Sequence, residues 1–254
     1  MRSLTGTDIG LVRSVNQDMC FASDEPIGPL PNLYLLADGM GGHAAGEFAA
    51  SFTIRNFVRL AKQREASFGM PLQTYLSALA MEVNGMLYEE SSRPGAFHGT
   101  GTTLVAACVE NGVLDAINIG DSRLYRVGEE LTQVTLDHSV SEEMVRRGET
   151  ERGSDLYWEK KNQITRAVGP ARTVLVDTFA LPLHEGEGIL LCSDGLTNML
   201  SDEEILSVIH AYPGRDADSL AHIREDLLEA AKAAGGTDNI TFVYVWPEQA
   251  ADRA

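Results

Sequence analysis

Aspartates stand at the ends of apolar runs in four places: Asp38 in LYLLADGMGGHAAGE, Asp121 in AINIGDS, Asp194 in GILLCSDG and Asp238 in GGTDNITFVYV. Each alone is an ordinary turn residue, because Asp-Gly pairs and Asx turns are favoured where strands stop. Their recurrence says more. Three runs end on a carboxylate and a fourth begins just after one. In antiparallel sheets the end of one strand shares an edge with the start of its neighbour, so the four carboxylates are expected on one rim. Carboxylates gathered this way oppose one another's ionisation. A hard divalent cation removes that cost, and an all-oxygen donor set suits Mg²⁺, Mn²⁺ or Ca²⁺ rather than a zinc site built from Cys and His. Gly39, directly after Asp38, leaves its carbonyl open as a further ligand. Arg13, in LVRSVNQD, is either a surface arginine or a two-pronged clamp for a phosphate.

The elements that must carry these residues follow from periodicity. Gly10 to Ser23 reads as an extended stretch with a polar interruption, and Leu33 to Ala37 as a compact strand. From Ala44 to about Lys62 the pattern is helical, with Phe48, Phe52 and Phe57 near one face, and Leu72, Tyr75, Leu76, Leu79, Val83 and Met86 continue at helical spacing. The period then shortens: TTLVAACV, VLDAINIG, RLYRV and LTQVT read as a meander of strands joined by short turns, Asn111-Gly112 among them. Val174 to Leu181, Gly188 to Cys192 and Asn239 to Trp246 are further strands. Ser201-Asp-Glu-Glu204 opens a short helix with a capping-box pattern, and Asp216 to Ala234 is a helix closed by Gly235-Gly236. The order predicts an α+β fold, a central sandwich of two antiparallel sheets flanked by pairs of helices in four layers, αββα. Residues 1–254 form one domain in this reading. The segment Ser139 to Asn162 is charged, short of apolar anchors and expected to be an exposed, mobile insert, either a solvated connection or a flap over a substrate.

Bulk composition narrows the function classes. The net charge of −17 argues against nucleic acid and anionic membrane as partners. No apolar run approaches the ~18 residues that cross a bilayer, and MRSLTGTDIG lacks the apolar core of a signal peptide. Three widely spaced cysteines, Cys20, Cys108 and Cys192, suit reduced thiols buried as small apolar side chains in a cytoplasmic protein.

Taken together, LVRSVNQD, LLADGMGGHAAGE, GTGTTLVAA, INIGDSRLYR, LTQVTLDHS, ITRAVG, LLCSDGL and GGTDNITFV, in this order from about Thr7 to Val245, resemble the bacterial branch of the protein phosphatase 2C family. These are metal-dependent serine/threonine phosphatases, also called PPM phosphatases. The resemblance implies a β-sandwich with a metal centre at one end, holding two core ions of Mn²⁺ or Mg²⁺ and a third, weaker one. It implies that Asp38 bridges the core ions, that Gly39 adds its carbonyl, that Asp194 and Asp238 complete the ligands, and that Asp121 serves the third position with Asp194. Arg13 matches the phosphate-binding arginine, and Asp18 an acidic position acting through metal-held water. The implied reaction is direct hydrolysis, an in-line attack on phosphorus by water bridging two metals about 3.5–4 Å apart, with no phosphoenzyme. Substrates would be phosphorylated proteins, opposing a bacterial serine/threonine kinase, and the enzyme a cytoplasmic monomer.

Two positions depart from the family pattern. Eukaryotic relatives carry His directly after the Asp-Gly; here Met40 stands there and His43 follows three residues on. His43 either protonates the leaving oxygen or serves as a helix-start residue. In the flap, WEKKNQITRAVG places Trp158 and lysines where relatives often have a His-Pro element. Other readings are a catalytically weak relative used as a binding module, a phosphatase with an aspartyl nucleophile, and a nucleotide-binding glycine loop. The full set of acidic positions, the missing Asp-x-Asp pair and the missing P-loop lysine weigh against each in turn.

Overall fold

The computed structural model describes residues 1–42, 44–64, 69–93, 99–213 and 216–246. In chain order the elements are β1 (Arg2–Asp8), β2 (Asp18–Ser23), β3 (Leu33–Met40), α1 (Ala45–Gln63), α2 (Leu72–Ser91), β4 (Gly101–Thr102), β5 (Leu104–Glu110), β6 (Val113–Ile119), β7 (Arg123–Val127), β8 (Leu131–Gln133), α3 (Val140–Arg146), α4 (Asp155–Lys160), β9 (Asp177–Pro182), β10 (Gly188–Cys192), α5 (Asp194–Thr197), α6 (Asp202–His210), α7 (Ala217–Ala233) and β11 (Ile240–Trp246).

The strands form two antiparallel sheets. One runs β1-β11-β10-β7-β8; the other runs β2-β3-β5-β6-β9, with β4 beside the end of β3. Central strands are apolar on both faces, and the period of two sorts their residues into separate layers. Along β3, Leu33, Leu35 and Ala37 pack with α1 and α2 residues such as Phe57, Leu76 and Leu79. Tyr34 and Leu36 point the other way and meet Ile189, Leu191, Val243 and Val245 of the facing sheet. Leu190, Phe242 and Tyr244 pack outward with Ile205, Ile209, Ile223 and Leu227 of α6 and α7. Helix, sheet, sheet and helix are thus the expected four layers.

Local signals behave as their chemistry requires. Asn111 and Gly112 both have positive φ, 51° and 75°, which joins β5 to β6 through a tight turn with Glu110 opposite Val113. The Ser201 hydroxyl accepts from the Glu204 amide and the Glu204 carboxylate accepts from the Ser201 amide, a complete capping box on α6.

Three expectations fail. The strands from Thr102 to Thr135 are not one meander. β6 already has β5 on one side and β9 on the other, so the chain leaves that sheet at Gly120-Asp121-Ser122 and β7 pairs with β10 and β8 instead. Gly10 to Ser23 is extended strand only from Asp18, where pairing with β3 begins; the residues before it, Leu11 and Val12 included, form turns and bends. The insert from Ser139 to Asn162 is not simply exposed. Ser141, Glu142, Tyr157 and Lys161 are buried, and Glu142 accepts from Arg152 at 2.9 and 2.8 Å and from the Tyr157 hydroxyl at 2.9 Å. Polar anchors replace the apolar ones its composition lacks.

Candidate metal centre

β2 and β3 lie side by side with Asp18 directly opposite Asp38. Where β3 ends, its backbone is fixed from the neighbouring strand. The Asp38 amide donates to Thr103 Oγ1 at 2.9 Å, and the Asp38 carbonyl accepts from the Thr103 amide at 2.9 Å and the Thr102 hydroxyl at 2.8 Å. Thr103 Oγ1 also meets the Ser122 hydroxyl at 2.7 Å, which ties the Asp38 strand to the corner carrying Asp121. Gly39 is a glycine for packing reasons: a Cβ there would stand 2.1 Å from the Gly46 carbonyl oxygen and 2.7 Å from that of Gln17. Only a bare backbone lets the first turn of α1 rest on this strand end.

The other sheet brings Asp194 and Asp238 together by the same device. Asp194 opens α5 immediately after β10, and Asp238 precedes β11, the neighbour of β10. A Cβ on Gly195 would stand 1.9 Å from the Asn239 carbonyl oxygen, so glycine allows the two acidic segments to touch. Asn239 accepts from the Gln17 amide at 2.8 Å and donates to the carbonyls of Ile9 and Val15 at 2.9 and 3.0 Å. The loop carrying Arg13 is thereby fastened beside Asp238.

Arg13, Asp38, Gly39, Asp121, Asp194 and Asp238 all line one cleft of about 790 Å³. Asp18 stands behind it, its Oδ2 accepting from the Ser193 hydroxyl at 2.8 Å and its buried Oδ1 without a hydrogen-bond partner. Asp38 and Asp194 meet water only through the cleft, so their exposure is intermediate although protein crowds them on the other sides. That crowding dominates their ionisation. Burial, then the charges of Asp18, Asp194, Asp121 and Asp238, hold the Asp38 carboxyl well above the usual carboxylate range. Burial followed by Asp194 and Asp137 pushes Asp121 up to about 8. Burial pushes Asp18 up to about 7 against its hydrogen bonds from Ser193 and Thr241. Burial and Asp238 raise Asp194, with Lys161 and Asn198 working against them.

Among the described residues, no three acidic, histidine or cysteine side chains close into a ready-made ligand set. Arg13 Nη2 instead donates to Asp238 Oδ2 at 2.7 Å, and Asn198 donates to Asp194 Oδ2 at 2.9 Å. The donor chemistry nevertheless fits a hard divalent cation: oxygen only, with several crowded carboxylates raised by one another and one buried oxygen unsatisfied.

The chain matches the family model described as Protein phosphatase 2C over residues 11–229. It belongs to the protein phosphatase 2C family. The phosphatase is 35% identical over 247 residues to the serine/threonine phosphatase stp of Listeria monocytogenes, covering 94% of this chain and 93% of the relative. It is 33% identical over 242 residues to the protein phosphatase PhpP of Streptococcus pneumoniae, covering 94% of each. The crystal structure of the serine/threonine phosphatase PstP/Ppp of Mycobacterium tuberculosis superimposes with a TM-score of 0.83 at 32% identity, covering 98% of this chain and 99% of that one. The phosphatase is a serine/threonine protein phosphatase, its substrates are phosphoproteins, and its two antiparallel sheets with flanking helices are the architecture of bacterial PPM phosphatases.

His43 lies outside the described residues; Gly41 and Gly42 before it line the cleft. Several residues escaped the sequence reading. Lys161, at the end of the insert, donates to Asn198 Oδ1, and Asn198 in turn donates to Asp194, so the phosphatase joins its insert to the carboxylate cluster through two side chains. Lys161 also stands 5.0 Å over the Trp158 ring. The only signal for this chain of contacts was the pair of lysines in WEKKN, and nothing in NML around Asn198 marked its partner. Thr103, Ser193 and Asn239 sit within or beside the quoted motifs, but their sequence spacing does not say what they hold.

Proposed function

We propose that this phosphatase hydrolyses phosphoserine and phosphothreonine in proteins with the help of Mn²⁺ or Mg²⁺, two core ions and a third, weaker one, held by Asp38, the Gly39 carbonyl, Asp121, Asp194 and Asp238. The observation that carries the reading is the gathering of these carboxylates, with Arg13, around one cleft that contains too little positive charge for them. Bound cations would supply the missing charge and lower the pKa of water, making it a nucleophile for direct in-line attack on phosphorus. Asp38, where the two sheets' acids meet, would orient that nucleophile. Arg13 pairs with Asp238 as the structure stands; a cation on Asp238 would free the guanidinium to take two phosphate oxygens and stabilise their growing charge. Asp18, behind Asp38, would accept hydrogen bonds from water in the cluster. His43 is the proposed proton donor to the leaving serine or threonine oxygen.

The same proposal places residues 1–254 in one phosphatase domain with 139–162 as its flap, and the enzyme in the cytoplasm as a monomer opposing a serine/threonine kinase. Nucleic acid and membrane are not expected partners at this net charge. Among the described residues no helix is long and apolar enough to cross a membrane. The test is hydrolysis of a phosphothreonine peptide by metal-stripped protein titrated with Mn²⁺ and with Mg²⁺, beside Asp38→Asn and Asp194→Asn. Activity that requires a cation and vanishes in both variants is expected. Turnover that persists in the presence of chelator would sink the reading.

A further inference from the structure

His138 is 4% exposed and every polar atom of it is engaged. Its Nδ1 accepts from the Gly120 amide at 3.0 Å. An amide can only donate, so Nδ1 carries no proton and the ring proton sits on Nε2. Nε2 then donates to Asp177 Oδ2 at 3.0 Å. Arg166, 3.1 Å from the same ring nitrogen, donates to Asp177 Oδ1 at 2.6 Å, so the Asp177 carboxylate accepts from both groups and supports the tautomer that the Gly120 amide requires. The backbone of His138 makes the same connection: its amide donates to the Gly120 carbonyl at 3.0 Å.

Gly120 is the residue before Asp121, at the corner where the chain passes from one sheet to the other. Its φ is +109°, and a Cβ on it would stand 2.6 Å from the Thr103 methyl. The corner is therefore pressed against Thr103, the residue that holds the Asp38 amide. His138 also closes the base of the insert. Its carbonyl accepts from the Thr165 amide at 2.7 Å, and the Val140 amide donates to the Gln163 carbonyl at 2.8 Å. Ile164, between these strapped residues, lines the cleft.

We propose that His138 is a positioning residue for the cation centre: its Nδ1 fixes the Gly120-Asp121 corner from behind, and Asp177 and Arg166 hold the ring in the tautomer that can do so. One ring thus links the base of the 139–162 insert to the Asp121 carboxylate. The inference rests on the proposed role of Asp121 as a cation ligand.

The test compares His138→Asn with His138→Gln in the full chain. The Asn carboxamide oxygen stands near the place of Nδ1 and can accept from Gly120. Gln reaches toward Asp177 and leaves the Gly120 amide unserved. Manganese binding is followed by paramagnetic resonance titration, with thermal melting of the same samples in chelator. The expected result is a manganese isotherm for His138→Asn close to that of the unmodified chain, and for His138→Gln a roughly tenfold weaker hold on the most weakly bound ion. Equal isotherms for both variants, whether unchanged or equally weakened, would overturn the proposal, because a merely structural histidine does not distinguish the two replacements. Should either variant fail to fold, Asp177→Ala, at a half-exposed position, is expected to weaken the same ion, and an unchanged isotherm would overturn it. Nitrogen NMR of the unmodified chain is a further check: a ring proton on Nδ1 contradicts the assignment. No saturable manganese binding by the unmodified chain would instead remove the metal reading of the cleft, and this inference with it.

Discussion

Two sets of acidic side chains, a few residues apart in the fold, are treated in opposite ways. Asp137 and Glu142 are buried and supplied with partners. Asp137 accepts from Arg123 at 3.0, 3.1 and 2.7 Å. For Glu142, burial alone would raise the carboxyl, yet the hydrogen bonds from Arg152 and Tyr157 and the charge of Arg152 outweigh it and hold the group below its usual range. Asp38, Asp121 and Asp194 have no ion pair of that kind; Asp194 accepts from the neutral Asn198 amide at 2.9 Å, and burial plus mutual repulsion drives all three upward. Both sets pay desolvation. The difference is what offsets it: Asp137 and Glu142 have arginines of the protein beside them, whereas in the cleft the proposed cations would take that place. Removing one partner of a buried pair leaves an uncompensated group and is destabilising, whereas carboxylates crowded together in a cleft are candidates for a functional site.

The sharpest way to break this comparison is to neutralise one member of each set. Asp38→Asn is expected to lower turnover of a phosphothreonine peptide by at least about 10²–10³-fold, while the melting temperature in chelator stays level or rises, because a repelled carboxyl has been removed. Glu142→Ala should do the reverse to stability, losing about 1–3 kcal/mol in denaturant titrations as the Tyr157 hydroxyl loses its acceptor, with cation binding retained. If Asp38→Asn destabilises the chelated protein and Glu142→Ala does not, the contrast is wrong.

A pH series sharpens the same point. Without cations the folded chain keeps protons on Asp18, with its pKa near about 7, and on Asp121, near about 8. An unfolded chain has already released them above its ordinary carboxylate pKa of about 4. The folded state therefore binds more protons through this window, and stability falls as pH rises. Melting temperature in chelator is expected to drop steadily from about pH 5 to about pH 8, and Mn²⁺ should flatten that slope by replacing the protons. The smallest effect belongs to the contact between the two regions. Asn198→Ala removes the amide donor of Asp194 and the acceptor of Lys161, and should weaken Mn²⁺ binding by roughly tenfold in calorimetry while leaving the fold intact.

Much of this was legible in the sequence. Leu33 to Ala37 is a short, unbroken apolar run bounded by turn signals, which suits a strand covered on both sides, and the structure sorts Leu33, Leu35 and Ala37 to one face and Tyr34 and Leu36 to the other. Asn111-Gly112 and Ser201 to Glu204 announce their backbone conformations through their side chains. The rim of aspartates was visible because each stands at the edge of an apolar run. What was hidden depended on partners distant in sequence. β1, RSLTGTD, has few apolar residues because it is an edge strand paired only with β11. The exit from one sheet to the other at Gly120 looks like a hairpin locally, and only the prior claim of β9 on β6 decides otherwise. The anchoring of the insert rests on Glu142, Arg152 and Tyr157, residue types that serve equally well on a solvated surface. His138, in LTQVTLDHS, gave no sign of its grip on Gly120, because a histidine's role is set by what faces its two nitrogens.

The most direct test of the central claim is calorimetric titration of the metal-stripped chain with Mn²⁺ near neutral pH, repeated in two buffers of different ionisation enthalpy. The account predicts saturable binding that releases protons to the buffer, since ions must displace the protons held by the crowded carboxyls, and predicts that Asp38→Asn abolishes the tightest phase. Binding that releases no protons and survives Asp38→Asn would contradict it.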